Sequence, residues 1–283
     1  MGMINNSELQ DMLNKLVLGD DGIYSYEFNN IEQEDEIKTR IAVSDEVYDD
    51  YLDVISDHHS IPVMDREVNL FYESMPKNAK IIDVGGCWGW HWRNISKVRP
   101  DIKIFIVDFV KGNLYHAKNV LKGDINQNVF LIHGDANDLI FDDGVFDGYW
   151  SVQTLQHIPS FKKSILEANR VLKKNGLFAS YSLNNASIIR FIYKLLGKEY
   201  RVKGNFSGYY LSRASQEQKN VVGEIFKQRL KIRYSEIIFK PELKLSFSGK
   251  EQSIFGVLDS YLSNNVGFFS SIARQCSYHA YKA

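Results

Sequence analysis

The stretch Lys80-Ile81-Ile82-Asp83-Val84-Gly85-Gly86-Cys87-Trp88-Gly89 decides the fold. A short apolar run, residues 79–84, reads as a strand, and residues 90–98 read as a helix. Between them stand three glycines within five positions. A glycine-rich turn of this kind lets a ligand come close to backbone N–H groups at a helix start. Without a ligand it is only a tight connection, so the spacing has to arbitrate. A dinucleotide fingerprint places glycines at positions one, three and six. Gly85, Gly86 and Gly89 stand at one, two and five, which argues against a nicotinamide-dependent dehydrogenase.

Working outward, further strands are expected at 103–107, 129–133, 145–152 and 176–183, and helices at 114–121 and 161–172. Near-continuous apolar strands alternating with helices indicate an α/β fold, a mostly parallel sheet covered on both faces. Ligands bind such sheets at the carboxyl ends of the strands, which is where residues 85–89 lie. Upstream, a helix at 65–75 leads into the core. Before it come a helix at 7–18 with Ser7 as N-cap, a strand at 24–31 and an acidic, solvated stretch at 31–53. Downstream of 185 the alternation breaks. A helix is expected at 188–196, a Gly- and Tyr-rich segment follows, then a helix at 216–230 and strand-like runs at 231–239 and 277–282.

The acid two residues before the first glycine gives Asp83-x-Gly85-x-Cys87-x-Gly89. This resembles motif I of the class I S-adenosylmethionine-dependent methyltransferases, Asp-x-Gly-x-Gly-x-Gly, with Cys87 in place of the middle glycine. Three further stretches extend the resemblance in the same order: Val107-Asp108-Phe109, His133-Gly134-Asp135-Ala136, and Tyr149-Trp150-Ser151 running on to Gln156-His157-Ile158-Pro159. The resemblance implies a Rossmann-like sheet with an antiparallel last strand and S-adenosylmethionine as cofactor. It implies that Asp83, Gly85, Gly86, Cys87 and Gly89 form the cofactor loop. Asp108 would accept hydrogen bonds from both ribose hydroxyls, a task that suits the paired oxygens of a carboxylate. Phe109 would lie against the adenine. Asp135 would accept from the exocyclic amine of adenine, with the backbone of Ala136 reaching a ring nitrogen. Ser151 is counted with the cofactor site, and Arg66 as a partner for the cofactor carboxylate. Each has a plainer reading: Asp108 as a helix cap, Asp135 as a polar turn, Arg66 as a surface residue.

For catalysis the choice falls on His157, in the loop where an acceptor would meet the methyl group. An imidazole titrates in the range a general base needs. His58 and His59 could fold over the cofactor, and His91 reads as packing or solvent-facing. Trp88, Trp90 and Trp92 surround the glycine loop. No His, Cys or carboxylate cluster has metal-ligand spacing, so no metal is expected.

The chain divides into an N-terminal extension (1–66), a core (67–185 and 229–283) and an inserted cap (186–228). The cap combines Arg190, Arg201, Lys203 and Arg213 with Tyr200, Tyr209 and Tyr210. It is expected to form one wall of the acceptor pocket and to be mobile without ligand. The 283 residues carry 34 Lys and Arg against 35 Asp and Glu, a formal net charge of -1. A protein that neutralises many phosphates usually shows a basic excess, so nucleic acid is disfavoured as a partner. A small-molecule acceptor, a sugar or metabolite hydroxyl, is favoured over RNA or protein. A cofactor-binding homologue without activity stays open because of Cys87. Two distant cysteines and no signal-like start suit a reducing, cytoplasmic setting. The longest apolar stretches, such as 188–196, contain charges and fall far short of a span, so no membrane partner is expected. No sequence feature sets the oligomeric state.

Overall fold

The computed structural model describes residues 6–28, 47–56, 58–184, 187–197, 214–227, 230–237 and 254–283. The elements, in chain order, are α1 (Asn6–Leu13), β1 (Val17–Leu18), β2 (Tyr24–Ser25), α2 (Tyr51–Ser56), α3 (Ile61–Glu73), β3 (Lys80–Val84), α4 (Ile95–Val98), β4 (Lys103–Asp108), α5 (Lys111–Leu121), β5 (Val129–His133), β6 (Phe146–Val152), α6 (Phe161–Val171), β7 (Leu172–Leu183), α7 (Ile188–Leu195), α8 (Ser215–Phe226), β8 (Lys231–Ser235), α9 (Ile254–Asn265), α10 (Gly267–Ile272) and β9 (Gln275–Tyr281).

The strands form one sheet in the order β1-β2-β5-β4-β3-β6-β7-β9-β8. The run from β2 to β7 is parallel, while β1, β9 and β8 pair antiparallel. This is the expected Rossmann-like sheet with its antiparallel end. The chain builds outward from β3 through β4 to β5, then returns to β6 on the other side of β3. The switch point between β3 and β6 is where a doubly wound sheet opens a crevice.

Alternation along the strands sends side chains to two cores. Ile82 and Val84 of β3, with Phe105 and Val107 of β4, face the layer that holds α6 and α8. Ile81, Ile104 and Ile106 face the layer of α3 and α5.

Several expected boundaries move. The helix read at 90–98 is a 3-10 turn, Trp90–Trp92, followed by the short α4. Trp90 and Trp92 are both buried, so neither is free to leave one face of a regular helix to solvent. Helix α3 starts at Ile61, four residues before the expected start, with Pro62 in its first turn where a missing N–H costs nothing. Strand β7 begins at Leu172, ahead of Asn175-Gly176; Asn175 turns within it at φ 62. Of the expected strand at 24–31, Tyr24–Ser25 is strand and 26–28 is not, while 29–31 and most of 31–53 lie outside the described residues.

The division into extension, core and cap also changes. Met12, Leu16 and Tyr24 of the N-terminal part lie in the main core, and β2 pairs with β5. Within 186–228, α8 buries Val222 and Phe226 in the same core, with Phe226 against Phe178 of β7 at 4.8 Å. This helix is a core layer rather than a cap. Tyr200, Arg201, Lys203, Tyr209, Tyr210 and Arg213 lie outside the described residues.

Candidate functional site

The site begins where β3 ends. Gly85 takes φ 69, and its N–H donates to the carbonyl of Val107 in β4 at 2.7 Å. A Cβ at Gly85 would stand 2.1 Å from the Thr154 side chain, so only glycine fits. Thr154 in turn donates to the Gly85 carbonyl at 3.1 Å. The loops after β3 and β6, on either side of the switch point, are thereby locked together. Cys87 takes φ 50, the left-handed conformation that favours glycine, so the loop turns as motif I requires despite the substitution.

Asp108 sits at the end of β4 and is buried. Its Oδ2 accepts from Cys87 N at 3.0 Å and its Oδ1 from Val110 N at 2.9 Å; its carbonyl accepts from Gly134 N at 3.1 Å. One residue therefore ties the glycine loop, the end of β4 and the turn after β5 into a row. In that third turn Asp135 is buried, with Oδ1 accepting from Asn137 N, and Ala136 packs into the core. Phe109 is half-buried beside them, its carbonyl 3.1 Å from His133 Nε2.

Asp83 lies beneath the loop. Its Oδ2 accepts from Trp92 Nε1 at 2.6 Å, and its Oδ1 has no hydrogen-bond partner among the described residues. Burial pushes its carboxyl up to about 7; the nearby Asp108 charge adds to this and the Trp92 hydrogen bond opposes it.

Three expected residues are placed differently. Ser151 is fully buried and donates to the Val84 carbonyl at 2.8 Å, so its hydroxyl joins β6 to β3 instead of facing the crevice. Arg66 lies where α3 packs on α9, opposite Gly256. His157 is held by its neighbour. Leu183 N donates to Gln156 Oε1 at 2.8 Å, which turns the Gln156 amide nitrogen toward His157 Nε2 at 2.9 Å. An imidazole that accepts there carries its proton on Nδ1. In that tautomer Nε2 is occupied, so service as a general base requires the Gln156 contact to break. His91 is buried and stacks on Trp90 at 4.1 Å, the packing alternative of the two expected, and His59 lies 5.8 Å from the same ring.

Sequence reading passed over Tyr26. Its hydroxyl accepts from Asp135 N at 3.0 Å and donates to the Asp138 carbonyl at 2.8 Å. Its ring fills the place a Cβ on Gly134 would take, 2.3 Å away. Nothing local marks Tyr26, because its partners lie more than a hundred positions away. Thr154 was missed too, though its place after a strand end opposite Gly85 could have marked it. Among the described residues no group of His, Cys, Asp and Glu could hold a metal ion.

Residues 82–180 match the family model described as a methyltransferase domain. Among curated relatives, the malonyl-[acyl-carrier protein] O-methyltransferase of Buchnera aphidicola is 30% identical over 129 residues, 44% of this chain and 48% of that protein. The demethylmenaquinone methyltransferase of Staphylococcus aureus is 33% identical over 102 residues, 36% of this chain and 42% of that protein. The chain thus spans about half, or less, of the length of these relatives. Among solved structures, an S-adenosylmethionine-dependent methyltransferase from Aquifex aeolicus superposes with a TM-score of 0.52 at 15% identity, over 84% of this chain and all of that one (100%). A [4+2]-cyclase reaches 0.55 at 14% identity, over 89% of this chain and 94% of its own. At such identities the likeness shows the fold alone, and the cyclase shows that this fold carries other chemistry. Sheet order, loop geometry and the family match meet over the same stretch: residues 82–180 of this chain match a methyltransferase domain and fold as the centre of a Rossmann-like sheet.

Proposed function

We propose that this protein transfers a methyl group from S-adenosylmethionine to a hydroxyl of a small molecule, a sugar or a metabolite. The row formed by the glycine loop, Asp108 and the Asp135 turn at one sheet edge carries this reading, tied as it is by Cys87 N to Asp108 and Gly134 N to Asp108. The residues fit the cofactor: the buried Oδ1 of Asp83 is an acceptor with no partner among the described residues.

Bound S-adenosylmethionine supplies an electrophilic methyl carbon on a sulfonium sulfur. In this reading Asp108 holds the ribose hydroxyls. Asp135 and the backbone of Ala136 hold the adenine edge, with Phe109 against its face. Asp83 faces the positive amine from beneath the loop. Methyl transfer would be an in-line displacement in which the acceptor oxygen bonds the methyl carbon as the carbon–sulfur bond breaks, S-adenosylhomocysteine leaves and the hydroxyl proton passes to water, so the protein's remaining task is to orient the acceptor oxygen. Gln156 and His157 join the loop after β6 to the end of β7 and set the wall on which the acceptor lies. An oxygen acceptor is supported by a relative named for O-methyl transfer, and a small molecule by the absence of a basic excess in the chain.

Titration calorimetry with S-adenosylmethionine and S-adenosylhomocysteine tests the first half. Binding of one cofactor per chain is expected, together with transfer of labelled methyl to a sugar or metabolite extract. No heat with either compound, and neither found by mass spectrometry in the purified protein, would overturn the reading.

A further inference from the structure

Helix α9 is built inside out. Its buried face consists of Gly256, Asp259 and Ser263, and it packs on α3 and β8 through that face. Asp259 accepts from the N–H groups of Glu236 and Ile237 at 2.9 and 2.8 Å. The apolar stripe, Ile254, Val257, Leu258 and Tyr261, recurs at i, i+3, i+4 and i+7 and points to solvent, with Ile254 78% and Tyr261 62% exposed. A helix that packs on a water-facing protein normally does the reverse.

Helix α7 repeats the pattern. Ile188, Phe191, Ile192 and Leu195 have the same spacing and are exposed, Phe191 by 61% and Leu195 by 69%. Helix α10, with Phe268 64% exposed, touches both α7 and α9, so the apolar faces form one surface. Eleven of the nineteen exposed large apolar side chains among the described residues fall on residues 188–196, 254–261 and 266–268. Exposed apolar side chains gathered on neighbouring helices, rather than scattered singly, mark a binding surface.

Charge selects the partner. Helix α7 itself carries Arg190 and Lys194 and no acidic residue, +2, in a chain whose net charge is -1. Two copies related by a twofold axis through this face would bring the cations of α7 against their own copies. An anionic lipid surface instead accepts apolar side chains at the headgroup boundary and basic ones at its phosphates. No helix among the described residues is long and apolar enough to cross a membrane, which leaves binding in the plane. We propose that α7, α10 and the outer face of α9 dock this protein on an anionic lipid membrane. The sequence expectation of no membrane partner considered spanning segments and so passed over this surface.

The surface also has a place in the fold. Helix α7 begins five residues after Leu183, the carboxyl end of β7. Asn184, in between, donates its side-chain amide to the Ala273 carbonyl and its backbone N–H to that of Arg274, just past α10. The docking face thus lies on the sheet edge that carries the glycine loop, and the crevice opens beside the lipid.

The test is flotation of the full chain with vesicles of phosphatidylcholine, with and without phosphatidylglycerol. Binding to the anionic vesicles, reduced by salt, is expected. The double variant Phe191→Glu/Leu195→Glu should partition at least about tenfold less, and Phe268→Glu less than wild type, with unchanged thermal melts because all three side chains are exposed. Lys194→Glu should lower binding to the anionic vesicles alone. Equal binding by wild type and the double variant, or no binding by wild type, overturns the proposal. So does a dimer seen by light scattering without lipid that Leu195→Glu dissolves, which would assign the face to a second copy. Vesicle binding needs no cofactor and calorimetry needs no vesicles, so this proposal and the methyltransferase reading fail separately.

Discussion

The two halves of the sheet's carboxyl edge are built in opposite ways. On the β3–β5 side the functional groups are pinned by short backbone hydrogen bonds within a few residues of each strand end. Gly85, Cys87, Asp108 and Gly134 all belong to one such chain of contacts. On the β6–β9 side the frame is held by buried side chains from distant segments. Glu67 of α3 accepts from Arg233 of β8 at 2.7 Å and from Tyr181 of β7 at 3.0 Å. Glu236 accepts from Arg274 at 2.5 Å and from Ser60 N at 3.1 Å. The first half is stiff by backbone geometry, and a shared cofactor explains why it should be. The second depends on desolvated ion pairs, in which removing one partner strands the other charge. It leaves its outer face apolar, and we assign acceptor and membrane contacts to it.

The backbone-built half can be broken most severely at Gly85. Gly85→Ala combines a left-handed φ with a Cβ inside Thr154 and should cost about 2–5 kcal/mol in unfolding free energy. Pairing it with Thr154→Gly should restore part of that in a denaturant melt. A single Gly85→Ala variant as stable as wild type would show that the loop is not pinned as described.

The next effect concerns pH. Burial raises the folded-state pKa of Asp83 to about 7 from its ordinary value of 3.8. The folded protein therefore holds this proton more tightly than the unfolded chain. The stabilising contribution is complete below about pH 4 and is lost as pH rises through 7, by at most about 1.4 kcal/mol per pH unit. Asp83→Asn keeps an acceptor for Trp92 Nε1 and should flatten stability between pH 4 and 7. Melting curves with the same slope in both proteins would remove Asp83 from the account.

Asp108→Ala should weaken S-adenosylmethionine binding by about 1.5–3 kcal/mol, roughly tenfold to hundredfold by calorimetry, the range for hydrogen bonds to a charged group. Undiminished affinity would detach Asp108 from the ribose. The smallest effect is expected at Cys87. Cys87→Gly relieves a left-handed side chain and adds backbone freedom to the unfolded state, so the two terms should leave a gain of about 0.5–1 kcal/mol, with cofactor affinity unchanged. A loss of stability there would mean that the thiol itself is part of the loop's packing.

By itself the sequence determined the alternation of strands and helices from 79 to 183, the glycine loop and the acids at the ends of β4 and β5. These are local signals: period, turn chemistry and position relative to a strand end, all set within about ten residues. Only the tertiary structure decided that Ser151 is spent on Val84, that the Gln156 amide meets His157 Nε2, and that Tyr26 holds the Asp135 turn from 109 positions away. It alone showed that α8 is a core layer and that α9 is turned inside out. Those outcomes depend on which groups meet after the chain has folded. A hydrogen bond across a hundred residues, or a helix that buries its polar face because a partner's backbone N–H groups need an acceptor, leaves no period in the chain to read.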